Sequence, residues 1–84
     1  MSALAATYLE VVAVAERPRL TARELEVLTL LAHGYTSRQV GRRLRIERHT
    51  VDIHVRNVLA KLGATNRIHA YALALRQGLL DSEN

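Results

Sequence analysis

Residues 36–63, TSRQVGRRLRIERHTVDIHVRNVLAKLG, contain the pattern that decides the fold. They predict a short helix, a tight turn and a longer helix from about Arg48 to Leu62, which stops at Gly63. The longer helix has apolar residues at the i, i+4, i+7, i+8, i+11 spacing of one buried stripe: Val51, Val55, Val58, Leu59 and Leu62. The opposite stripe is too polar for a core and consists of His49, Asp52, Ile53, Arg56 and Ala60. A helix with one packed face and one basic, hydrogen-bonding face suits the DNA major groove, which admits one α-helix.

Capping residues mark the two helices that precede this long one. Thr21 and Glu24 have the spacing of a capping box, in which each side chain can satisfy the other's backbone N–H. The helix that follows should end at Gly34 and should bury Leu25, Leu28, Leu31 and Ala32. Thr36 and Gln39 repeat the box for the short helix. The residues expected to point inward from the short helix and its turn are Val40, Leu44 and Ile46.

Two further helices are predicted outside this central region. The last one runs from Asn66 to Gln77, with Thr65 as its cap and Gly78 as its end. Its packed residues are predicted to be Ile68, Ala72 and Leu75. Residues 3–16, ALAATYLEVVAVAE, have a helix-compatible apolar arrangement, although their β-branched valines favour a helix less.

The predicted organisation is an all-α fold of four helices with an extra N-terminal helix. Pro18 marks a break after that leading helix. We expect an N-terminal helix and linker over residues 1–19, one helix-turn-helix domain over residues 20–80 and a tail over residues 81–84. A chain of 84 residues has room for one small core.

Positive charge is concentrated in the middle of the chain. The formal net charge is +4, and residues 21–63 hold the whole excess, because the acidic and basic residues on either side balance. This distribution is typical of a protein that binds a polyanion. The alternative interpretation is a basic surface that only contacts solvent.

Composition excludes several kinds of site. The chain has three tyrosines and no Phe or Trp, so it offers no aromatic platform for single-stranded nucleic acid. It has no cysteine, which excludes disulfides and thiolate metal sites. No residue pattern in the chain indicates catalysis. The four histidines also lack the spacing of a metal site: His33, His49, His54 and His69. We therefore expect no enzyme activity, no metal and no cofactor.

Residues 20–79, LTARELEVLTLLAHGYTSRQVGRRLRIERHTVDIHVRNVLAKLGATNRIHAYALALRQGL, resemble the LuxR/NarL/GerE-type helix-turn-helix domain of bacterial transcriptional regulators. The matching pieces are LTxRExEVLxLLAxG, TV-x-x-H, KLG and the NR before the last helix, all at the spacings of that family. The resemblance implies a sequence-specific regulator that binds double-stranded DNA, or the output domain of one. It also implies a homodimer formed through the last helix, for which residues 3–16 are a second candidate surface. With no membrane-spanning run and no signal peptide, the expected location is the cytoplasm, at the bacterial nucleoid.

The resemblance assigns expected roles to individual positions. Family members contact base edges at the positions of Asp52, Ile53 and Arg56, and His49 lies on the same stripe. The residues expected to contact or approach phosphates are Ser37, Arg38, Thr50, His54 and Lys61. The residues expected at the dimer interface are Ile68, Tyr71 and Leu75.

Three positions depart from the family pattern. Asp52 replaces a usual Lys, so it either accepts from cytosine N4 or pairs with Arg48 or Arg56, and we favour the ion pair. Glu47 stands where a Ser commonly caps the long helix, and a carboxylate can still cap it. Gly41 replaces a small Ala, which permits close packing at a cost of ~1 kcal/mol in helix propensity.

Two base contacts and the function itself have alternatives. Arg56 reads guanine O6 and N7 or only touches a phosphate, and Ile53 touches a thymine methyl or is a solitary surface residue. The alternative function is a protein-interaction module that docks on RNA polymerase, a sigma factor or another regulator.

Overall fold

The computed structural model describes residues 19–80, which form four helices joined by short turns. The helices are α1 (Ala22–Ala32), α2 (Ser37–Leu44), α3 (Arg48–Leu62) and α4 (Arg67–Arg76). The described part of the chain contains no strand, so the predicted all-α, four-helix architecture is confirmed. The predicted N-terminal helix over residues 3–16 and the tail over residues 81–84 lie outside the described residues.

Both predicted capping boxes are present. The backbone N–H of Glu24 donates to Thr21 Oγ1 at 3.1 Å, and the backbone N–H of Thr21 donates to Glu24 Oε1 at 2.8 Å. At the start of α2, Gln39 N–H donates to Thr36 Oγ1 at 3.2 Å, and Thr36 N–H donates to Gln39 Oε1 at 2.9 Å. Because these bonds satisfy backbone donors that the helix itself leaves unpaired, they fix where α1 and α2 begin.

Replacing Thr36 by alanine is expected to lower the free energy of unfolding by about 1 kcal/mol, because Gln39 N–H then loses its acceptor. Urea unfolding followed by circular dichroism measures this difference. Thr36→Ser keeps the hydroxyl and is the matched control, which should unfold close to the wild-type midpoint. Equal loss in the alanine and serine variants would show that the hydroxyl does not stabilise α2.

Two predicted caps are wrong. Glu47 is the residue before α3, but its side chain makes no capping hydrogen bond. The longer Glu side chain is not among the short Ser, Thr, Asp and Asn side chains that reach the N–H groups of the first turn. The cap of α4 is Asn66, one residue later than predicted, and its Oδ1 accepts from His69 N–H at 2.9 Å. Thr65 instead donates its backbone N–H to His69 Nδ1 at 3.1 Å.

The predicted packing face of α4 is also wrong. The buried residues of α4 are Ala70 and Ala74, whereas Ile68 is 80% exposed, Ala72 is exposed and Leu75 is half-buried. Helix α4 lies against α1 and α3, and small alanine side chains let the helix axes come close. The larger apolar residues of α4 are therefore displaced to its edge and outer side.

Helix α3 joins two apolar clusters. The first cluster connects α1, α3 and α4 and contains Leu28, Val58, Leu62, Ala70 and Ala74. The second connects α1, α2 and α3 and contains Val27, Val40 and Val51. The predicted α3 stripe is confirmed, since Val51, Val58 and Leu62 are buried and Val55 and Leu59 are half-buried. In α1 the prediction is confirmed for Leu28, which is buried, but Leu25, Leu31 and Ala32 are only half-buried, and the fully buried residue is Val27, which was not predicted.

The turn between α2 and α3 depends on Gly41. A Cβ atom placed on Gly41 would lie 2.7 Å from the backbone carbonyl oxygen of Ile46, closer than packed atoms approach. Ile46 N–H donates to the Gly41 carbonyl oxygen at 2.9 Å, and Arg45 has a left-handed backbone with φ of 58°. The prediction that Gly41 permits close packing is confirmed. This contact fixes how α3 leaves the turn.

One ion pair joins a buried carboxylate to a lysine at the surface. Glu24 Oε1 accepts from Lys61 Nζ at 2.7 Å, and the side chains are 4% and 35% exposed respectively. Lys61 Nζ also donates to the backbone carbonyl oxygen of Arg19 at 3.3 Å. The pair ties α1 to the last turn of α3. The sequence indicated a capping role for Glu24 but did not indicate this partner.

The stability of the domain should depend on the ionisation of Glu24. Burial raises the pKa of Glu24, but the hydrogen bond and charge of Lys61 and the hydrogen bonds from Thr21 together bring the pKa below its ordinary value of 4.5. A carboxyl group whose pKa is lowered by folding stabilises the protein above its ordinary pKa, and this stabilisation is lost as the pH falls through the folded-state pKa. The stability advantage of the wild type over Glu24→Gln should therefore shrink as the pH falls below 4.5.

Urea unfolding of both proteins, from neutral pH downward, measures that difference. The Gln variant is a suitable control because its amide oxygen can still accept from Thr21 in the capping box. A wild-type advantage that did not change with pH would contradict the proposed ionisation.

Candidate nucleic-acid interface

The polar stripe of α3 faces outward along its length. His49, Asp52, Arg56 and Ala60 are exposed, and Ile53 is 39% exposed. The opposite side of the same helix is held in the core by Val51 and Val58, which are 0% and 2% exposed. Because both apolar clusters hold α3, its rotation about its own axis is fixed. The structure thus brings together the four residues predicted to contact bases: His49, Asp52, Ile53 and Arg56.

The shape of α3 fits the role of a protruding helix. It has 15 residues, which corresponds to about 22 Å, and contains no Gly or Pro. Gly63 ends it with a left-handed backbone, φ of 66°. A rigid helix of this kind can present side chains to a groove without reorganising its backbone.

Asp52 forms the ion pair that the sequence favoured. Its Oδ2 lies 3.9 Å from Arg48 Nε, and the side chains are 47% and 64% exposed. An exposed pair at this distance contributes about 0–1 kcal/mol. Arg56, the other candidate partner, forms no ion pair with any residue between 19 and 80. Its guanidinium group therefore keeps its hydrogen-bond donors for another acceptor.

The predicted phosphate-contacting residues fall into two groups. Ser37 and Arg38 lie in the first turn of α2, and Thr50 and His54 lie half-buried on α3. Lys61 stands apart, because its ammonium group is bound to Glu24 and to the Arg19 carbonyl oxygen. We leave Lys61 out of the proposed interface, since contact with a phosphate would compete with the buried carboxylate that it neutralises.

Helix α2 and its turn carry unneutralised positive charge. They contain four exposed arginines, none of which forms an ion pair within the described residues: Arg38, Arg42, Arg43 and Arg45. The guanidinium carbon of Arg43 lies 4.6 Å from the centre of the Tyr35 ring, a cation–π contact that keeps the charge. This side of the molecule can therefore attract an anionic partner.

Two arginines that the sequence analysis did not assign to a site lie near Ser37 and Arg38. Arg48 at the start of α3 and Arg67 at the start of α4 line the same open depression as the first turn of α2. Arg67 is 29 positions from Arg38, so only the packing of α4 brings it there. The sequence signals for it were its place in the NR motif and its position directly after the cap of the last helix.

The outer side of α4 contains the residues predicted to form a dimer interface. Ile68 is exposed, and Tyr71 and Leu75 are half-buried. Their i, i+3, i+7 spacing places them along one face of the helix. Ile68 and Tyr71 also line a small depression with Leu28, Leu31 and Ala32 of α1.

The described residues contain neither a clustered set of metal ligands nor a membrane-spanning helix. Between residues 19 and 80, no group of three or more His, Cys, Asp or Glu side chains is arranged to hold a metal ion. Among the helices of that same range, none has the length and apolar character needed to cross a membrane.

Comparison with known proteins gives concordant results. The family model "Bacterial regulatory proteins, luxR family" matches residues 18–74. The transcriptional activator protein SolR of Ralstonia nicotianae is 49% identical over 61 residues, which make up 73% of this chain and 26% of SolR. The transcriptional regulatory protein LiaR of Bacillus subtilis is 42% identical over 62 residues, 74% of this chain and 29% of LiaR. The chain thus spans about a quarter of the length of these relatives.

Solved structures show the same fold. The structure of the transcription factor GerE has a TM-score of 0.71 at 37% identity and covers 74% of this chain and 92% of GerE. The response regulator ChrA of a heme-sensing two-component system has a TM-score of 0.72 at 39% identity, over 76% of this chain and 32% of ChrA. The family resemblance inferred from the motifs is confirmed. Since the family model matches more than half of the residues of this chain, the chain belongs to the luxR family of bacterial regulatory proteins.

Proposed function

We propose that this domain binds double-stranded DNA in a sequence-specific manner and regulates transcription, acting by binding and not by catalysis. The observation that carries the proposal is the fixed orientation of α3, whose polar stripe is exposed while Val51 and Val58 are buried. The relatives SolR and LiaR are named as transcriptional regulators, and GerE as a transcription factor. These names support the proposal.

The exposed stripe offers a chemically mixed set of contacts for the major groove. Arg56 can donate two hydrogen bonds to guanine O6 and N7, the commonest specific contact of this kind. Ile53 can pack against a thymine methyl group, and His49 can exchange hydrogen bonds with a base edge. Asp52 can accept from cytosine N4 when it turns away from Arg48, and its weak ion pair allows that movement.

Backbone contacts would position the helix in the groove. Ser37 and Arg38 lie at the N-terminus of α2, where free backbone N–H groups and the helix dipole favour an anion. Thr50 and His54 lie on the flanks of α3, where a side chain in the groove is close to the phosphates. Such contacts supply affinity and orientation without sequence information.

We further propose that two copies of the domain pair through Ile68, Tyr71 and Leu75. Ile68 is 80% exposed on a helix whose other side is packed, and a second α4 could cover it. A two-fold dimer would place two α3 helices on half-sites about one helical turn apart. Such a regulator would work at the nucleoid in the bacterial cytoplasm, where contact with RNA polymerase would be a second interaction.

The first experiment is a selection of bound duplexes from a random pool. The proposal expects enrichment of one short motif, repeated as a palindrome if the domain binds as a dimer. Uniform weak binding, with dissociation constants near the ~10⁻⁴–10⁻⁶ M of non-specific complexes, would contradict it. That outcome would favour the alternative in which the domain docks on RNA polymerase, a sigma factor or another regulator.

A further inference from the structure

The open depression at the start of α2 is lined by residues of all four helices and of the turn before α2. Its polar lining comes from Thr36, Ser37 and Arg38 at the start of α2, from Arg48 of α3 and from Arg67 of α4. Among the described residues, no acidic side chain lines it. Three exposed arginines line it, and one of them, Arg48, also lies 3.9 Å from Asp52 Oδ2. We call this depression the anion pocket.

The backbone and Ser37 add uncharged donors to the pocket. Gln39 N–H is already bound by the side chain of Thr36, whereas the N–H groups of Ser37 and Arg38 have no partner within the helix. Ser37 is 7% exposed, yet its hydroxyl has no hydrogen-bond partner among residues 19–80, and it lines the pocket. Its oxygen is not sealed from solvent, so the hydroxyl can donate to an acceptor in the pocket.

We propose that the anion pocket binds one backbone phosphate of the DNA, which Arg48 of α3 and Arg67 of α4 help to hold. This inference rests on the proposed function and adds to it two residues that hold the phosphate. A phosphate accepts several hydrogen bonds at once, which matches backbone N–H groups, a hydroxyl and planar guanidinium groups. Contact from three helices would fix the depth and angle at which α3 enters the groove.

Arg67 also connects the pocket to the α4 surface. It precedes Ile68 directly and lines both the anion pocket and the depression next to Tyr71. A phosphate bound by Arg67 would therefore hold the first turn of α4 in place. DNA binding and pairing through α4 would then support each other.

Arg67→Gln tests the phosphate contact, with Arg76→Gln as the matched control. Arg76 lies in the last turn of the same helix, is exposed, and does not line the pocket. Binding to a selected duplex is measured over a range of salt concentrations. Loss of one phosphate contact should reduce the slope of log K against log[salt] by ~0.9 and weaken binding about tenfold. Arg76→Gln should leave the slope unchanged, and Arg67→Lys should restore most of it.

Methylphosphonate substitution identifies the phosphate directly. Because it changes the DNA and not the protein, it cannot act by unfolding the domain. Each backbone phosphate of the duplex is replaced in turn by the neutral group. At one phosphate in each half-site, the substitution should weaken binding of the wild-type domain. The same substitution should not weaken binding of the Arg67→Gln variant. Equal sensitivity of both proteins at every phosphate, together with equal salt slopes, would overturn the proposal.

Titration with inorganic phosphate tests whether the pocket binds free phosphate or a phosphate of the DNA backbone. It should shift the amide resonances of Ser37 and Arg38 in the wild type and not in Arg67→Gln. Saturable phosphate binding with no change in the DNA salt slope would make the pocket a site for a free anion and overturn the DNA contact. A wild-type domain that binds no duplex even at low salt would overturn the proposed function itself, whereas DNA binding with unchanged slopes overturns only the pocket.

Discussion

Replacing Arg56 by alanine is expected to weaken binding to the selected duplex by about 1–3 kcal/mol, or roughly 5- to 150-fold. Arg56 is exposed near the middle of α3 and forms no ion pair within the described residues, so its donors are free for a base. A guanine that loses its bidentate partner in the complex leaves two acceptors unsatisfied. The measurement is the binding isotherm for the selected duplex and for duplexes with each half-site position changed.

Specificity distinguishes a base contact from a phosphate contact. If Arg56 reads a base, Arg56→Ala should bind all four variants of one position nearly equally and keep its preferences elsewhere. Arg56→Lys is the matched control, because it keeps the charge but not the planar fork, and it should recover affinity without the preference at that position. Uniform weakening across all duplexes, with a shallower salt slope, would show instead that Arg56 contacts the backbone.

Replacing Lys61 by methionine is expected to destabilise the domain by about 2 kcal/mol. Methionine keeps an unbranched apolar side chain, so the main loss is the charge that neutralises Glu24, whose side chain is 4% exposed. The expected value lies below the range for a fully buried pair because Lys61 retains 35% exposure. The measurement is the free energy of unfolding in urea at neutral pH.

The double variant Glu24→Gln/Lys61→Met tests the cause. The amide that replaces the carboxylate of Glu24 is neutral and can still accept from Thr21, so the double variant should regain part of the stability lost in Lys61→Met. Additive losses would show that the two side chains stabilise the domain independently. DNA binding by the folded double variant provides a second result. Unchanged affinity and salt slope would agree with an interface that does not include Lys61. A shallower slope would show that Lys61 contacts a phosphate.

Local chemistry made most of the secondary structure predictable. Capping boxes at Thr21 and Thr36 depend on residues three positions apart, so the sequence contains the whole interaction. The α3 stripe was predictable for a related reason, since large apolar residues recur on one side only. Helix α4 lacked such a contrast, because it has apolar residues on several sides. Its packing is decided by how closely the alanine side approaches α1 and α3.

The candidate site also has one part that was predictable from the sequence and one part that was not. The exposed face of α3 was predictable from periodicity and from the family resemblance, and the structure gives His49, Asp52, Ile53 and Arg56 a common surface. The anion pocket was not predictable, because Ser37, Arg48 and Arg67 come from three helices. The same holds for Lys61, whose partner Glu24 is 37 positions away.

The sequence by itself determined the four helices of residues 19–80, the starts of α1 and α2, the buried side of α3 and the family, because each depends on neighbours within about four positions or on a motif at fixed spacing. Tertiary structure alone decided which face of α4 is buried, which carboxylate pairs with Lys61 and which arginines meet at the start of α2. The physical reason is that burial and long-range charge pairing depend on distances between helices. Those distances follow from the fit of whole surfaces, to which residues far apart in the chain contribute together.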